Sequence, residues 1–411
     1  MTPHRVEIRE LLGLRDFRLL FLGQGISVLG DRMVVVALAF AVLELGGSAS
    51  EVGLVLGAAW APLVLTVLVG GVVADRTSRR AVMVVADLVR LASQGLMAVL
   101  VITGEAEVWM LAALAGVTGA ATGFFNPAST GFLPEVVPED RLQPANALRS
   151  TGVAASEILG PLVAGVVVTA AGAGWAIAAD AATFAASAAC LTRLRPPPRR
   201  AREPSSFLGD LREGWVEFRS RRWVWTAVLY FAVGNLFWAA WSALGPVVAH
   251  RSLGGAAVWG TVLGAMGVGA LAGSLIATRV RPRRPLVLAV SMEAVFSLPL
   301  AFLASGAPVP VLAFGTFLSG AGMMIGMSVW ESTLQRHIPA DSLSRVSAYD
   351  WFGSFVFFPL GLALWGSVAA AIGLHTSLWI AFGLMCGSAC LLLSVPDVRN
   401  LPASRAEQPV A

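Results

Sequence analysis

Apolar residues run in long blocks along this chain, and the stretches between the blocks carry most of the charge. A helix that spans the hydrocarbon core of a bilayer needs about 20 mostly apolar residues. Blocks of that length recur at roughly 17–43, 52–74, 80–103, 107–131, 146–171, 175–194, 223–249, 256–279, 284–305, 308–333, 343–371 and 375–395, with ends soft by about four residues. Little remains for loops. The pattern predicts an all-α membrane protein of twelve transmembrane helices with no sizeable soluble module.

Composition supports the same reading. The 411 residues are 56% hydrophobic and 13% charged, whereas a soluble domain is about a quarter charged. No soluble fold has the interior to hide that much apolar surface. Cys190, Cys386 and Cys390 all fall inside apolar blocks. They read as small core residues, and their spacing offers neither a disulfide framework nor a metal site.

The placement of charge predicts an orientation. All 29 basic residues are arginine, and the net charge is +4. The even-numbered connections carry "RTSRR", "EDRLQPANALR", a central basic stretch, "RVRPRRP" and "QRHIPADSLSR"; with the tails they hold 26 of the 29 arginines. The odd-numbered connections carry Arg251 alone, with Glu51, Glu105 and Glu107. Short cytoplasmic loops collect arginine, so both termini are expected to be cytoplasmic. Basic residues spread over many membrane edges make no nucleic-acid patch. The expected partners are the bilayer and a small-molecule substrate, with the chain acting as a monomer.

The central connection, "RLRPPPRRAREPSSFLGDLREGWVEFRSRR", divides the chain. Its proline-rich start reads as a stiff linker. Phe207, Leu208, Leu211, Trp215 and Phe218 then recur at helical spacing, with arginines opposite, as in a helix lying on the membrane surface. The expected organisation is a six-helix bundle over 1–195, a basic linker with an interfacial helix over 196–222, and a second bundle with a short tail over 223–411. The bundles repeat. At an offset of 201, Leu133, Pro138, Asp140 and Leu142 fall on Leu334, Pro339, Asp341 and Leu343. The same offset carries Gly152, Gly160 and Gly165 onto Gly353, Gly361 and Gly366. In a chain with 43 glycines one match would mean little; seven at one offset imply pseudo-symmetry.

Two motifs carry a family resemblance. After the second block comes "GGVVADRTSRRAVM", with Gly71, Asp75, Arg76, Ser78, Arg79 and Arg80. It resembles the G-x-x-x-D-R-x-G-R-R loop of the major facilitator superfamily, with Ser78 where the family prefers glycine. The resemblance implies two six-helix bundles with a mid-membrane substrate site between them. It also implies a cytoplasmic latch, with Asp75 near the start of span 11 and Arg76 meeting Glu135, Glu139 or Asp140. Span 5 holds "GVAASEILGPLVAG", in which Gly152, Ser156, Gly160 and Ala164 leave one helix face bare for close packing, and Gly160-Pro161 adds a bend. With Gly165 it resembles the superfamily's exporter signature. "NPASTGFLPEVVPEDRLQPANALRS", "DAATFAASA", "GDRM" and "ADLVRL" are similar to the branch that includes macrolide-efflux and enterobactin-export proteins. Many proton-coupled exporters carry an arginine within span 4; this span 4 has none, so that coupling scheme does not transfer.

Charges inside the spans are the candidate machinery, because an ionised group at the bilayer centre costs about 2.5 kcal/mol or more and persists only when paired or facing a cavity. They are Asp31, Arg32, Asp87, Arg90, Glu157, Asp180, Glu293 and Asp350. Asp87 and Arg90 are spaced to pair on one helix. Asp180 and Asp350 read as acids near helix ends. Asp31 and Arg32 are adjacent, so they point about 100° apart and cannot neutralise each other. Arg18 to Asp31 is roughly 18 Å of helical rise, too deep for snorkelling. Asp31 is therefore the leading proton-coupling acid, with Glu157 and Glu293 behind it and Arg32, Arg90 and Asp87 setting its field. Asn235, Phe237, Trp238 and Trp241 in span 7 either line an aromatic cavity or simply pack.

The resulting reading is a secondary active transporter that exports amphiphilic small molecules, drug, antibiotic or secondary metabolite, in antiport with protons across a bacterial plasma membrane. A facilitator or importer of a nutrient stands as the alternative. A membrane enzyme or sensor would need a catalytic constellation or signalling domain, and four scattered histidines without metal spacing or a nucleophile motif supply neither. No phosphate-cradling loop is seen, so the expected energy source is a proton gradient, with no cofactor and no metal.

Overall fold

Each apolar block is a helix in the computed structural model, which describes residues 10–138, 141–195 and 207–402, apart from the side chains at 75, 207–213, 340–342, 344 and 345. Among the described residues, 12 helices are long and apolar enough to cross a membrane. Spans 1 to 6 are Arg15–Glu44, Ala49–Arg76, Arg79–Thr103, Val108–Val136, Leu142–Ala171 and Ala173–Thr192. A connecting helix, Phe207–Ser220, leads to span 7, Arg222–Val248, which ends in a π-helical turn at Ala249–Leu253, and then to span 8, Ala256–Ala277. Span 9 is Pro285–Phe296 and Leu298–Ala304, span 10 is Val309–His337, span 11 is Ala340–Phe355 and Phe358–Ile372, and span 12 is Leu374–Leu393.

Local chemistry sets the ends and breaks. Span 2 opens on a capping box: the Ser48 hydroxyl accepts from the Glu51 amide at 3.3 Å, and the Glu51 carboxylate accepts from the Ser48 amide at 2.7 Å. Spans 9 and 11, read as continuous in the sequence, are each interrupted shortly before a proline, at Ser297 before Pro299 and at Val356 and Phe357 before Pro359. Proline has no N–H to give the preceding turn, so a new helix starts there. Spans 5 and 6 meet at Gly172, φ 94°, and spans 11 and 12 meet at Gly373, φ 89°. A single-residue joint at positive φ is adopted without strain by glycine, and these two joints stand at the offset of the repeat.

The chain forms two compact units, Met1–Arg202 with Ala249–Gly264, and Glu203–Val248 with Ala265–Ala411. In unit 1, span 1 packs on spans 5 and 6, and span 3 on spans 4 and 6. In unit 2, span 7 packs on spans 11 and 12, and span 9 on spans 10 and 12. The same pairings recur, as a parallel repeat requires. Phe17, Leu20, Met83, Phe132 and Leu133 fill one core; Val224, Val228, Leu286, Val290 and Val346 fill the other. Leu65, Val166, Phe314 and Leu391 are exposed on their helices, where lipid rather than water is the compatible solvent.

The connecting helix forms where the periodicity predicts it. Its last turn docks on protein: the rings of Trp215 and Phe218 lie 5.6 and 5.8 Å from that of Tyr349 in span 11. Phe218 is buried there and so is not a membrane-surface residue, whereas Trp215 stays exposed. The side chains of Phe207, Leu208 and Leu211, the proline-rich stretch before them, Asp140, and the Asp341 side chain lie outside the described residues.

Candidate functional site

Asp31 and Arg32 each find a separate partner in unit 1. Asp31 Oδ2 lies 3.8 Å from Nη1 of Arg90 on span 3. Arg32 Nη2 lies 2.7 Å from Oε1 of Glu157 on span 5. The helical rotation between neighbours sends one charge towards span 3 and the other towards span 5. The Arg32–Glu157 pair is half-exposed, at 37% and 43% of the two side chains.

Arg90 is the centre of the cluster and is 1% exposed. It pairs with Asp87 on its own helix. Its guanidinium also lies between two aromatic rings, 4.1 Å from the centroid of Phe125 in span 4 and 4.3 Å from that of Phe184 in span 6. A cation over a ring face gains most where water is excluded. Asp87 is wholly buried, whereas 35% of the Asp31 side chain is open. Within this cluster Asp31 is the carboxylate with an open face.

Asp180 corrects the sequence reading, which put it near a helix end. It is fully buried in the interior of span 6, against Gly30, where a Cβ would overlap its carboxylate and the Thr183 hydroxyl. It lies within electrostatic reach of Asp31 and Arg90. The centre therefore holds three carboxylates for one guanidinium.

Beside Asp31 opens a cavity of about 160 Å³, lined by Gln24, Ser27, Asn126, Ser129 and Arg149 among others. Gln24 Nε2 donates to the Ser129 hydroxyl at 2.6 Å, and Arg149 Nη2 donates to the same oxygen at 3.4 Å. The sequence reading counted Arg149 with the basic residues of the connection before span 5, although it falls inside the block 146–171; the structure places it in span 5, lining the cavity.

The unit 2 candidates have other surroundings. Glu293 is part-buried and faces span 7, where a Cβ on Gly234 would lie 3.4 Å from its Oε1. Asn235 Nδ2 donates to the Ser354 carbonyl at 3.0 Å. Trp238 stacks on Trp241 at 5.6 Å and lies across Phe296 at 3.9 Å, and both tryptophans are buried. They pack within unit 2, the second of the two readings the sequence allowed. Asp350 accepts from Trp330 Nε1 at 3.1 Å.

The loop after span 2 is organised by its later arginines. Arg79 Nη1 lies 3.1 Å from Glu135 Oε1 and also donates to the Gly131 carbonyl. Arg79 is thus a partner of Glu135, one of the three acids expected for Arg76, and Arg76 itself is exposed. Glu139, Asp140 and the Asp75 side chain lie outside the described residues. Arg80 donates to the carbonyls of Leu191, at 2.8 Å, and Thr192, so it neutralises the C-terminal end of span 6. Ser78 explains its own departure from the family pattern. It has φ −71° and caps span 3, accepting from the Ala81 amide at 3.3 Å. The turn makes no demand for glycine. Gly71 likewise has room, with Pro127 3.9 Å from a notional Cβ.

The exporter motif is a packing surface. A Cβ at Gly160 would overlap that of Arg32 and lie 3.2 Å from the Leu29 carbonyl, so Gly160 lets span 5 touch span 1 beside the charged centre. Gly165 accommodates the start of span 8, with the Ala256 carbonyl 2.7 Å from a notional Cβ. Pro161 is buried and its carbonyl meets Gly260. Gly152 makes ordinary contact with Phe21.

Residues 12–409 match the family described as transmembrane secretion effector, MFS_3. The chain is 27% identical over 371 residues to the multidrug efflux pump Tap of Mycolicibacterium fortuitum, covering 85% of this chain and 88% of that one. It is 23% identical over 398 residues to macrolide efflux protein A of Streptococcus pyogenes, covering 94% and 97%. Its fold matches a crystal structure of a mutant of the nucleoside transporter NupG with a TM-score of 0.73 at 14% identity, over 92% of this chain and 99% of that one. The chain is thus a multi-pass membrane protein that belongs to the transmembrane secretion effector family of major facilitator transporters.

Proposed function

We propose that the protein exports amphiphilic small molecules by alternating access, in antiport with protons, across a bacterial plasma membrane with both termini cytoplasmic. The arginine bias of the even-numbered connections supports the orientation. The two efflux relatives support the direction of transport.

One observation carries the coupling: Asp31 has an open face on the polar cavity at one side and lies 3.8 Å from buried Arg90 at the other. When Asp31 is ionised, Arg90 is shared between Asp31 and Asp87, and span 1 is held to span 3. A proton on Asp31 cancels that attraction and leaves Arg90 to Asp87, which water does not reach. The proton thus changes how tightly two helices are bound. Protonation from outside releases substrate; loss of the proton inside restores the binding state.

The test is transport of fluorescent amphiphiles in proteoliposomes under an imposed pH gradient. Gradient-dependent uphill movement, abolished in Asp31→Asn, is expected. An Asp31→Asn protein that pumps as well as the parent overturns the role of Asp31. Movement that only dissipates the substrate's own gradient favours a facilitator, and a response to a sodium gradient alone overturns proton coupling.

A further inference from the structure

Among the described residues, Arg149 is a charge without a counter-charge. Deeper in the spans of unit 1, Arg90 has Asp87 and Asp31, and Arg32 has Glu157. Arg149 lies seven residues into span 5, roughly 10 Å along the helix from its start. Among the described residues no carboxylate comes within 4.0 Å of its guanidinium. Its hydrogen bond goes to the Ser129 hydroxyl at a long 3.4 Å, and Gln24 already donates to that oxygen at 2.6 Å. Guanidinium is built to hold an anion in a two-point grip, and no carboxylate of the described residues takes that grip on Arg149.

The same cavity has Asp31 in its wall. One small polar chamber thus presents an acid from span 1 and an unpaired guanidinium from span 5. Its volume, about 160 Å³, is below the roughly 300–1,000 Å³ of pockets that enclose drug-sized ligands. It suits a head group whose apolar remainder stays outside.

We propose that this chamber seats a zwitterionic head group of the transported amphiphile, its ammonium against Asp31 and its carboxylate or other anion against Arg149. The assignment rests on the transport reading and gives it a substrate class. The signs agree with antiport. An ammonium takes the place at Asp31 that the proton would take, so substrate and proton exclude each other. A purely anionic head would bind best with Asp31 protonated, which would move proton and substrate together. Placing the anion on Arg149 and the cation on Asp31 leaves both protein charges paired while substrate is bound.

The experiment is equilibrium binding to the purified full chain in nanodiscs, read by dansyl fluorescence, with three probes that differ at one end. Nε-dansyl-lysine keeps both charges, its methyl ester keeps the ammonium, and its Nα-acetyl derivative keeps the carboxylate. The zwitterion is expected to bind about tenfold tighter than either relative, the scale of one charge-assisted pair. Arg149→Gln is expected to reduce zwitterion affinity to that of the ester while leaving ester affinity within about twofold of the parent's. Arg149→Lys is expected to retain part of the preference. Equal binding of the three probes by the parent overturns the proposal, as does an Arg149→Gln loss that falls equally on the ester, or no binding of the zwitterion. The parent's three-probe comparison stands even where a variant fails to fold. Because no gradient is applied, the result is independent of whether the protein exports or imports.

Discussion

Asp31 stands 3.8 Å from Arg90, whose guanidinium is also paired with Asp87 and enclosed by Phe125 and Phe184. This geometry predicts an asymmetry between single and double substitutions. Arg90→Leu leaves Asp87 buried without a counter-charge, and removing one member of a buried pair costs about 3–5 kcal/mol. Asp87→Asn together with Arg90→Leu removes both charges and should recover at least half of that loss. Thermal unfolding of the two proteins in one detergent measures it. Equal destabilisation would show that Arg90 acts through its rings rather than through its ion pair.

Asp180 is buried without an arginine within ion-pair distance among the described residues, and its Oδ2 accepts no hydrogen bond there. Asp180→Asn keeps the shape and removes an ionisable group from a dry site that penalises charge. Stability should fall by no more than about 1 kcal/mol, or rise, and gradient-driven transport should remain. Complete loss of pH-driven flux in a well-folded Asp180→Asn protein would move the coupling site from Asp31 to Asp180.

The spans were legible because apolar blocks of membrane length have few other uses. Span 3, expected over 80–103, is Arg79–Thr103. Span 10 was read short, ending at 333 instead of at His337, because its last turns, "ESTLQRH", are polar enough to resemble a loop. Arg149 lies inside the expected block 146–171, but its polar neighbours, "QPANALRS", group it with the basic connection, and only the contacts of span 5 show that it lines a cavity. The site was legible in part. The angular argument for Asp31 and Arg32 needs only helix geometry, and both have the separate partners it requires. Trp238 shows where residue type leaves two readings open. Gly160 packs against Leu29 and Arg32, and Gly361 packs in the same way against Leu236 and Ala239. Trp238 therefore occupies in unit 2 the position that Asp31 occupies in unit 1. The repeat preserves the helix crossing and replaces a charged centre by packed rings, a difference that only contacts between helices disclose.

Gly160 sets the approach of span 5 to span 1. Gly160→Ala would put its methyl group onto the Cβ of Arg32, with the Leu29 carbonyl 3.2 Å away and no flexible side-chain end able to yield. Overpacking of this kind costs about 1–3 kcal/mol. Gly95 lies in span 3 with nothing within 4 Å of a notional Cβ, so Gly95→Ala should be neutral or stabilising, alanine being the better helix former. Comparison of the two melting temperatures checks the contact. Equal effects would place the importance of Gly160 in backbone flexibility instead of in proximity to Arg32.

The loop after span 2 offers a test of which arginine matters. Arg79 bonds Glu135 and the Gly131 carbonyl from a part-buried position, whereas Arg76 is exposed. An exposed charge is worth about 0–1 kcal/mol, so Arg76→Gln should leave stability nearly unchanged. Arg79→Gln deprives a part-buried carboxylate and a carbonyl of their donor together, and should cost about 1–3 kcal/mol. Ser78→Ala, which removes the cap of span 3, should cost about 1 kcal/mol, and Ser78→Gly a few tenths. Thermal unfolding of the four variants ranks them. If Arg76→Gln proves the most damaging in transport while remaining fully stable, Arg76 acts in the transport cycle through a contact formed in another conformational state, and the Arg79–Glu135 pair is a structural brace alone.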